Sequence, residues 1–379
     1  MNNIDEIKLL EKLISFKSIT PDDDGAFDFI EEYLSDFDVI KLDIEDVKNR
    51  FFYKKFGDTN SSNKTHLCFG GHIDVVPAGN LDEWICDPFT LTTKDNYIYG
   101  RGTQDMKSGV SAFMYALKSS MPQLEQNFNG TISFLLTSDE EGDAKYGTIE
   151  VLKYLKDKDF LPDYAVIAEP TCEQVFGDAI KVGRRGSING LLTINGKQGH
   201  AAYPEKAINP VHQIAPILEK VAGVNLDNGD EYFSPSKFVI TDIRAGMQVT
   251  NVTPNELTMM FNVRNSTKTS KEDIERFINT HFSELDYSLE LSQSAKPFVT
   301  NNSSKIVTSL QTSIKNIVGI DTSLSTAGGT SDARFFGEFG IDTVEFGVIN
   351  DTIHSINERT TIKQVQDLTK VFQDLIKGF

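Results

Sequence analysis

Apolar residues recur at Ile4, Ile7, Leu10, Leu13 and Ile14, the spacing of one helical face, and a second such stretch, FDFIEEYL, follows the acidic turn PDDDG. The pattern then changes to short runs that are apolar almost throughout: HLCFGGHIDVV, TISFLL, DYAVIA and IDTVEFGVI. Runs of that kind predict strands buried on both faces, and VSAFMYALKSSM and TIEVLKYLKDK between some of them predict helices. Strands and helices in this order predict an α/β fold built round a mostly parallel central sheet.

From Gly183 to Gln293 the texture differs. Leu257, Met259, Phe261 and Val263 alternate with polar residues, as in a strand with one dry and one wet face. SINGLLTI and KFVITDI predict further strands, and NPVHQIAPILEKV predicts a helix. Another helix begins at Ser270, with Asp273 in the capping-box position and Ile274, Phe277, Ile278 and Phe282 on its apolar face. The expected organisation is one α/β domain, residues 1–182 and 294–379, interrupted by an α+β insertion, residues 183–293. There is no internal repeat, low-complexity tract or Pro-rich linker.

Composition narrows the function. A chain of 379 residues with 39% hydrophobic and 24% charged residues has ample material for a core. Cys68, Cys86 and Cys172 form neither a disulfide framework nor a CxxC pair, and read as reduced thiols of a cytoplasmic protein. The first twenty residues lack the basic and apolar regions of a signal peptide, and no stretch is long enough to span a membrane. A net charge of -18 repels phosphate backbones and anionic lipid, which argues against nucleic-acid and membrane partners.

The chemistry gathers where the strand-like runs stop. HLCFGG leads to His72 and Asp74, the DNYIYGRG segment to Asp105, and TISFLL to Asp139, Glu140 and Glu141; DYAVIA leads to Glu169, and TVEFGVIN to Asp351 and His354. Ligands of open α/β sheets bind outside the carboxyl ends of the strands, so these segments are expected to converge on one crevice. Two imidazoles and several carboxylates without a thiolate suit zinc or a similar divalent ion, and the acids outnumber what one tetrahedral ion needs. A pair of bridged ions is therefore expected. In His72-Ile73-Asp74 the outer residues share one side of a strand, placing Asp74 to accept the second ring N–H of His72.

Other candidates read as structural. His66 opens a strand, His281 lies within a helix and His212 packs or caps on another. Gly328-Gly329-Thr330-Ser331 lacks the ending of a phosphate loop and reads as a ligand-facing turn, and Trp84 reads as a packing residue. Asp139 stands between two roles, a support behind the ligands or a cap of its turn.

In order and spacing, GHIDVVPAGNLDEWICDPF, YGRGTQDMKSG, TSDEEG, AEPT, VGRRGSINGLLTINGKQGHAAYP, GGTSDARF and HSINE resemble the dinuclear-zinc aminoacylase and carboxypeptidase group of metallopeptidases. The likeness covers nearly the whole chain, including SITPDDDGAFDFIEEYL. HxD, DMKxG and DEEG are shared by many members, whereas GRRGS, GHxAYP and GGTSDARF point to the branch that hydrolyses N-succinyl-LL-2,6-diaminopimelate in lysine and cell-wall biosynthesis. The resemblance implies a zinc-peptidase-like catalytic domain, an inserted lid and dimerisation domain, and two Zn2+ per subunit, with Co2+ as an alternative in the second site. One ion would be held by His72 and Glu169 and the other by Glu141 and His354, with Asp105 between them and the peptide after Asp105 in the cis form.

The same likeness makes Glu140 the general base, keeps Asp74 beside His72, and has His200 reach the partner subunit's active site in a homodimer to help bind the oxyanion. It places Arg184, Ser187, Tyr203, Asn251, Arg264, Thr330, Arg334 and Asn350 against a small substrate carrying several carboxylates, for which arginine is the fitting residue type. Ala327 and Ala333 depart from the group only by standing where relatives often have other small residues. Two alternatives stay open: a related N-acyl amino acid hydrolase, such as an acetylornithine deacetylase or carboxypeptidase, and a non-catalytic metal-dependent protein that holds a dicarboxylate. Glu140 speaks against the second, because a pure binder needs ligands but no base.

Overall fold

The computed structural model describes residues 4–57 and 64–379. Their packing separates two compact units, one formed by Met1–Gly183, Val299–Ser325 and Ser331–Phe379, the other by Arg184–Phe298 and Thr326–Thr330.

The first unit contains strands β1 (Asp38–Lys41), β2 (Asn49–Phe56), β3 (Thr65–His72), β4 (Gly130–Thr137), β5 (Tyr164–Ile167), β6 (Ala179–Lys181), β7 (Ser323–Ser325) and β8 (Asp342–Glu345). They form one sheet in the order β1-β2-β4-β3-β5-β8-β6-β7. Its centre, β4-β3-β5-β8, is parallel throughout, and β1 and β2 add an antiparallel edge. Every residue of β4 is buried, as is all of β3 after Thr65, which is why both read as apolar almost throughout.

Helices α1 (Glu6–Ser15), α2 (Ala26–Tyr33), α3 (Lys107–Asn127), α4 (Thr148–Asp157), α5 (Lys305–Val318), α6 (Ala333–Glu338) and α7 (Ile362–Gly378) belong to the same unit. Asp5 caps α1 by accepting the Lys8 N–H, and α1 and α7 pack on α3. Phe113 of α3 stacks on Phe372 of α7 with ring centroids 4.0 Å apart and meets Phe69 of β3 at 4.2 Å, tying both helices to the sheet. Close approach of α3 to the end of β5 requires a glycine: a Cβ on Gly109 would lie 2.4 Å from Ala168 Cβ and 2.6 Å from its carbonyl oxygen.

In the second unit the strands Phe238–Ala245, Glu256–Val263, Ser187–Asn195 and Tyr287–Ala295 form an antiparallel sheet in that spatial order. The middle strand Glu256–Val263 alternates buried and accessible residues, as its sequence predicts. The helices Pro210–Val221 and Lys271–Phe282 contribute Ile214, Val221, Ile274, Ile278 and Phe282 to the core beneath it. The capping box is formed: Asp273 N–H donates to Ser270 Oγ at 3.2 Å, and Ser270 N–H donates to Asp273 Oδ2 at 2.8 Å. Among the described residues, no helix is long and apolar enough to cross a membrane.

Candidate metal centre

Strands β3, β4 and β5 run parallel, so their carboxyl ends share one edge of the sheet. His72 is the last residue of β3, residues 139–141 follow β4, and Glu169 follows β5. The turn before α3 brings Asp105 to the same edge, and the loop after β8 brings His354. Asp105 lies between the two histidines: its Oδ1 is 3.1 Å from His72 Nε2 and its Oδ2 is 3.2 Å from His354 Nε2. Glu169 Oε1 stands 3.8 Å from His72 Nε2, and Glu141 Oε1 stands 3.0 Å from His354 Nε2. Two three-residue groups result, His72, Asp105 and Glu169, and Asp105, Glu141 and His354, which share Asp105 and are each able to surround an ion. The peptide between Asp105 and Met106 is cis.

The donor set fits divalent metal. With metal–ligand bonds of about 2.1 Å, tetrahedral zinc spaces its donors about 3.4 Å apart, and the separations of 3.0 to 3.8 Å above bracket that spacing. The charges fit as well. Burial, and then the neighbouring carboxylates, raise the Glu140 and Glu169 carboxyls well above their ordinary range. His72 is pushed upward although burial opposes it, because Asp105, Glu140 and Asp74 surround it. Hydrogen bonds to Asp105 and Glu141 lift His354 to about 10. Burial alone would raise Asp105, but its hydrogen bonds to both histidines hold it below the usual carboxylate range. So much buried negative charge calls for cations.

Asp74 works differently from the sequence expectation. The second ring nitrogen of His72, Nδ1, lies 2.9 Å from the main-chain carbonyl of Asp74, and the carboxylate oxygen is farther away at 3.6 Å. Because β3 ends at His72, the same-side rule for residues two apart does not extend to Asp74. The Asp74 carboxylate instead accepts the Thr20 hydroxyl at 2.5 Å and the Glu141 N–H at 3.1 Å, with the Glu140 N–H at 3.4 Å. It therefore fixes the backbone that presents the two glutamates. Asp139 caps its turn, with Oδ2 accepting the N–H groups of Lys145 and Tyr146, both at 2.9 Å. Asp351 belongs to neither Asp105-centred group and accepts a hydrogen bond from the Gln104 side chain.

Three contributors carried no chemical signal in the sequence. Thr20 anchors Asp74; Glu358, in HSINE, accepts the N–H groups of Gly102, Gln104 and Asp105. Asp332, in GGTSDARF, accepts the Thr148 hydroxyl at 2.5 Å, is pushed by burial up to about 6, and adds to the negative charge felt by Glu140. The motifs of the two acids were visible, but a buried acid that holds another part of the chain looks the same in sequence as one that holds metal.

Of the remaining residues singled out, Arg334 and Asn350 lie in the first unit. Arg334 places its guanidinium 4.4 Å from the Phe335 ring centre, and Asn350 Nδ2 donates to the Pro170 carbonyl beside Glu169. The second unit holds the others. His200, Tyr203 and Asn251 are exposed neighbours: the two rings are 5.8 Å apart, and the Asn251 carbonyl accepts the Ala201 N–H. Arg184 is buried and donates to the Ala327 carbonyl, while Ser187 Oγ accepts from Asn262. Arg264 and Thr330 are exposed. His66 is a core residue against Ser133 and Phe160, lowered by burial to about 4; His281 packs edge-on to Phe277, and His212 is exposed. Trp84 is buried, donating its indole N–H to the Ala78 carbonyl.

Comparison with known proteins adds a lineage to this geometry. Residues 68–378 match the sequence model of Peptidase family M20/M25/M40. The chain is 65% identical to a succinyl-diaminopimelate desuccinylase of Aliarcobacter butzleri over 98% of its own length and 99% of that protein's. It is 63% identical to the protein of that name in Sulfurimonas denitrificans, over 98% of both chains. Among solved structures, the aminopeptidase PepT of Bacillus cereus superposes with a TM-score of 0.79 at 19% identity, covering 98% of this chain and 97% of that one, a likeness of fold.

Proposed function

The chain belongs to peptidase family M20/M25/M40, and from that premise we propose that it hydrolyses N-succinyl-LL-2,6-diaminopimelate to succinate and LL-2,6-diaminopimelate in diaminopimelate and lysine biosynthesis. The observation that carries the reading is the placement of Asp105 between two histidines, with one glutamate completing each side and Glu140 left over, partly buried beside them. His72, Asp105 and Glu169 would hold one zinc ion, and Asp105, Glu141 and His354 a second, for which cobalt is an alternative. Bound there, the ions would supply Lewis acidity that acidifies the attacking water and polarises the amide carbonyl.

The chain's own residues supply the rest. Glu140 Oε2, 3.9 Å from His72 Nε2, is free of both Asp105-centred groups and takes one proton from the attacking water. As the C–N bond of the succinyl amide breaks, Glu140 returns that proton to the amine nitrogen, so water is divided between succinate and amine and the carboxylate is regenerated. The raised proton affinity of Glu140 in its crowded pocket suits the return step. Asp74 holds the Glu140 and Glu141 backbone in register for both duties.

The family likeness extends the proposal. His200 would help bind the oxyanion in the partner subunit of a homodimer joined through the second unit. Arg184, Arg264 and Arg334 would answer the substrate carboxylates, with Ser187, Tyr203, Asn251, Thr330 and Asn350 as further contacts. The enzyme would work in the cytoplasm, without nucleic-acid or membrane partners.

The test is amine release from N-succinyl-LL-2,6-diaminopimelate and from N-acetylornithine, with metal content measured on the same preparation. The proposal expects two ions per chain and a kcat/KM at least about a hundredfold higher for the succinylated substrate, a difference of roughly 2.7 kcal/mol in the barrier. Equal or reversed preference would assign the chain to another N-acyl hydrolase.

A further inference from the structure

The two ion positions are built differently. His72 closes a buried strand, its ring is 1% exposed, and its Nδ1 is tied to the Asp74 carbonyl. His354 sits in a loop with a positive φ of 59°, and its side chain is 48% exposed. Something other than burial must hold the second position.

We propose that Glu358 is a positioning residue for the second ion position, acting through a clamp between the Asp105 loop and the His354 loop; the inference rests on the metal reading above. The Glu358 side chain is 1% exposed. Its Oε2 accepts Arg101 Nη1 at 2.7 Å and the Gly102 N–H at 3.0 Å, and its Oε1 accepts the N–H groups of Gln104 at 2.7 Å and Asp105 at 3.2 Å. One carboxylate thus takes four donors from the segment that ends in Asp105.

The grip is reciprocal. Gln104 Oε1 accepts the Thr352 N–H at 2.9 Å, and its Nε2 donates to the Arg359 carbonyl at 2.7 Å and to Asp351. Arg101, buried over the Trp84 ring, carries the contact onward: its Nη2 reaches the Pro77 carbonyl at 3.3 Å and lies 3.5 Å from the His354 carbonyl. Side chains of each loop hold the other loop's backbone, which sets the separation of Asp105 and His354. Asp105 serves both positions, but His354 serves only the second, so loosening the clamp acts selectively there.

Glu358→Gln replaces two acceptor sites with an amide N–H2 that faces the donors of Arg101 and Gly102. In a calorimetric titration of metal-free protein with zinc, the wild type binds two ions. The variant is expected to keep the tighter ion within about threefold and to bind the weaker one about tenfold or more less tightly, the range of outer-layer substitutions at metal sites. Saturating zinc should bring its kcat back towards wild type, a rescue that a merely structural defect would not give. Gln104→Leu opens the clamp from the opposite side without stranding a buried charge, and should show the same selective loss if Glu358→Gln does not fold. Unchanged binding of both ions, equal weakening of both, or a kcat deficit that zinc does not restore would overturn the clamp. Wild-type protein that binds no zinc would overturn the metal reading instead.

Discussion

Glu140→Gln separates the base from the ligands. The side chains match in size, so the substitution removes a charge and a proton carrier while leaving the pocket filled. Because both Asp105-centred groups lack Glu140, metal content should remain at the wild-type level. Turnover should fall steeply: a positioned acid or base contributes about a hundred to ten-thousandfold. Glu140 is asked to act in both directions within one cycle, so a loss of at least about a thousandfold in kcat is expected, near 4 kcal/mol. A second consequence concerns the metal-free fold. In that fold burial, with Asp332, Asp105 and Glu141, outweighs the attraction to His72 and raises the Glu140 carboxyl well above its ordinary range, so at neutral pH folding must supply it with a proton, a cost that neutral glutamine does not carry. Chelated Glu140→Gln should therefore melt at or above the temperature of chelated wild type at neutral pH. Metal analysis after gel filtration, steady-state rates and thermal unfolding supply the three readouts. His72, Glu140 and Glu141 form a competing group of possible ligands. Loss of one ion with a surviving rate would therefore make Glu140 the ligand and Glu141 the base.

Metal removal should add a pH dependence of one sign to the stability. Folded Glu140, Glu169, His72 and His354 all keep protons that the unfolded chain releases at lower pH. Their contribution is thus greatest on the acid side and is lost as pH rises towards the His354 value of about 10. Buried Lys107 and His66, lowered to about 7 and about 4, act in the opposite sense but equally in both forms, so the melting temperature of chelated protein should drop relative to that of zinc-loaded protein between roughly pH 5 and 9; a gap that narrows as pH rises would refute the assignment. Gly109→Ala should force the start of α3 away from Ala168 and cost about 1–3 kcal/mol in thermal or denaturant unfolding. It should also weaken the ion beside Glu169, and wild-type stability would show that the contact relaxes without strain. Arg334→Ala should lower kcat/KM for the succinylated substrate about tenfold to a hundredfold, the worth of one hydrogen bond to a charged group. An unchanged kcat/KM would remove Arg334 from the substrate's surroundings.

How far the sequence could be read depended on burial. β3, β4, β5 and β8 were legible because each lies within a mostly apolar run, as strands buried on both faces do, with only small or isolated polar residues in β3 and β4 and with FGVI continuing the run past the polar residues of β8. β1 and β2 were not recognised, since the exposed edge strand DVIK and the charged end of NRFFYKKF lack such a run. The ligand candidates were legible because acids and histidines at strand ends are chemically conspicuous. Their sorting was not: Asp351 and Glu358 lie close in sequence to His354, yet only packing turns one towards Gln104 and the other towards the 102–105 backbone. Asp74 shows the same limit, because its expected bond to His72 depended on where β3 stops. Thr326–Thr330, which packs with the second unit, is too short to carry a periodic signal of its own.

The position of β8 in the sheet has a consequence for how the chain is made. This strand lies between β5 and β6, yet it is encoded after the whole of the second unit. A ribosome delivers β5 and β6 first, and their facing edges wait unpaired until residues 342–345 emerge. The stack of Phe113 on Phe372 waits longer still, and so does His354. The first unit thus completes its sheet and its ion cluster only after the second unit has emerged, which makes it the slower and the more aggregation-exposed of the two in biogenesis. The second unit draws its core from residues 188–282, a single uninterrupted stretch.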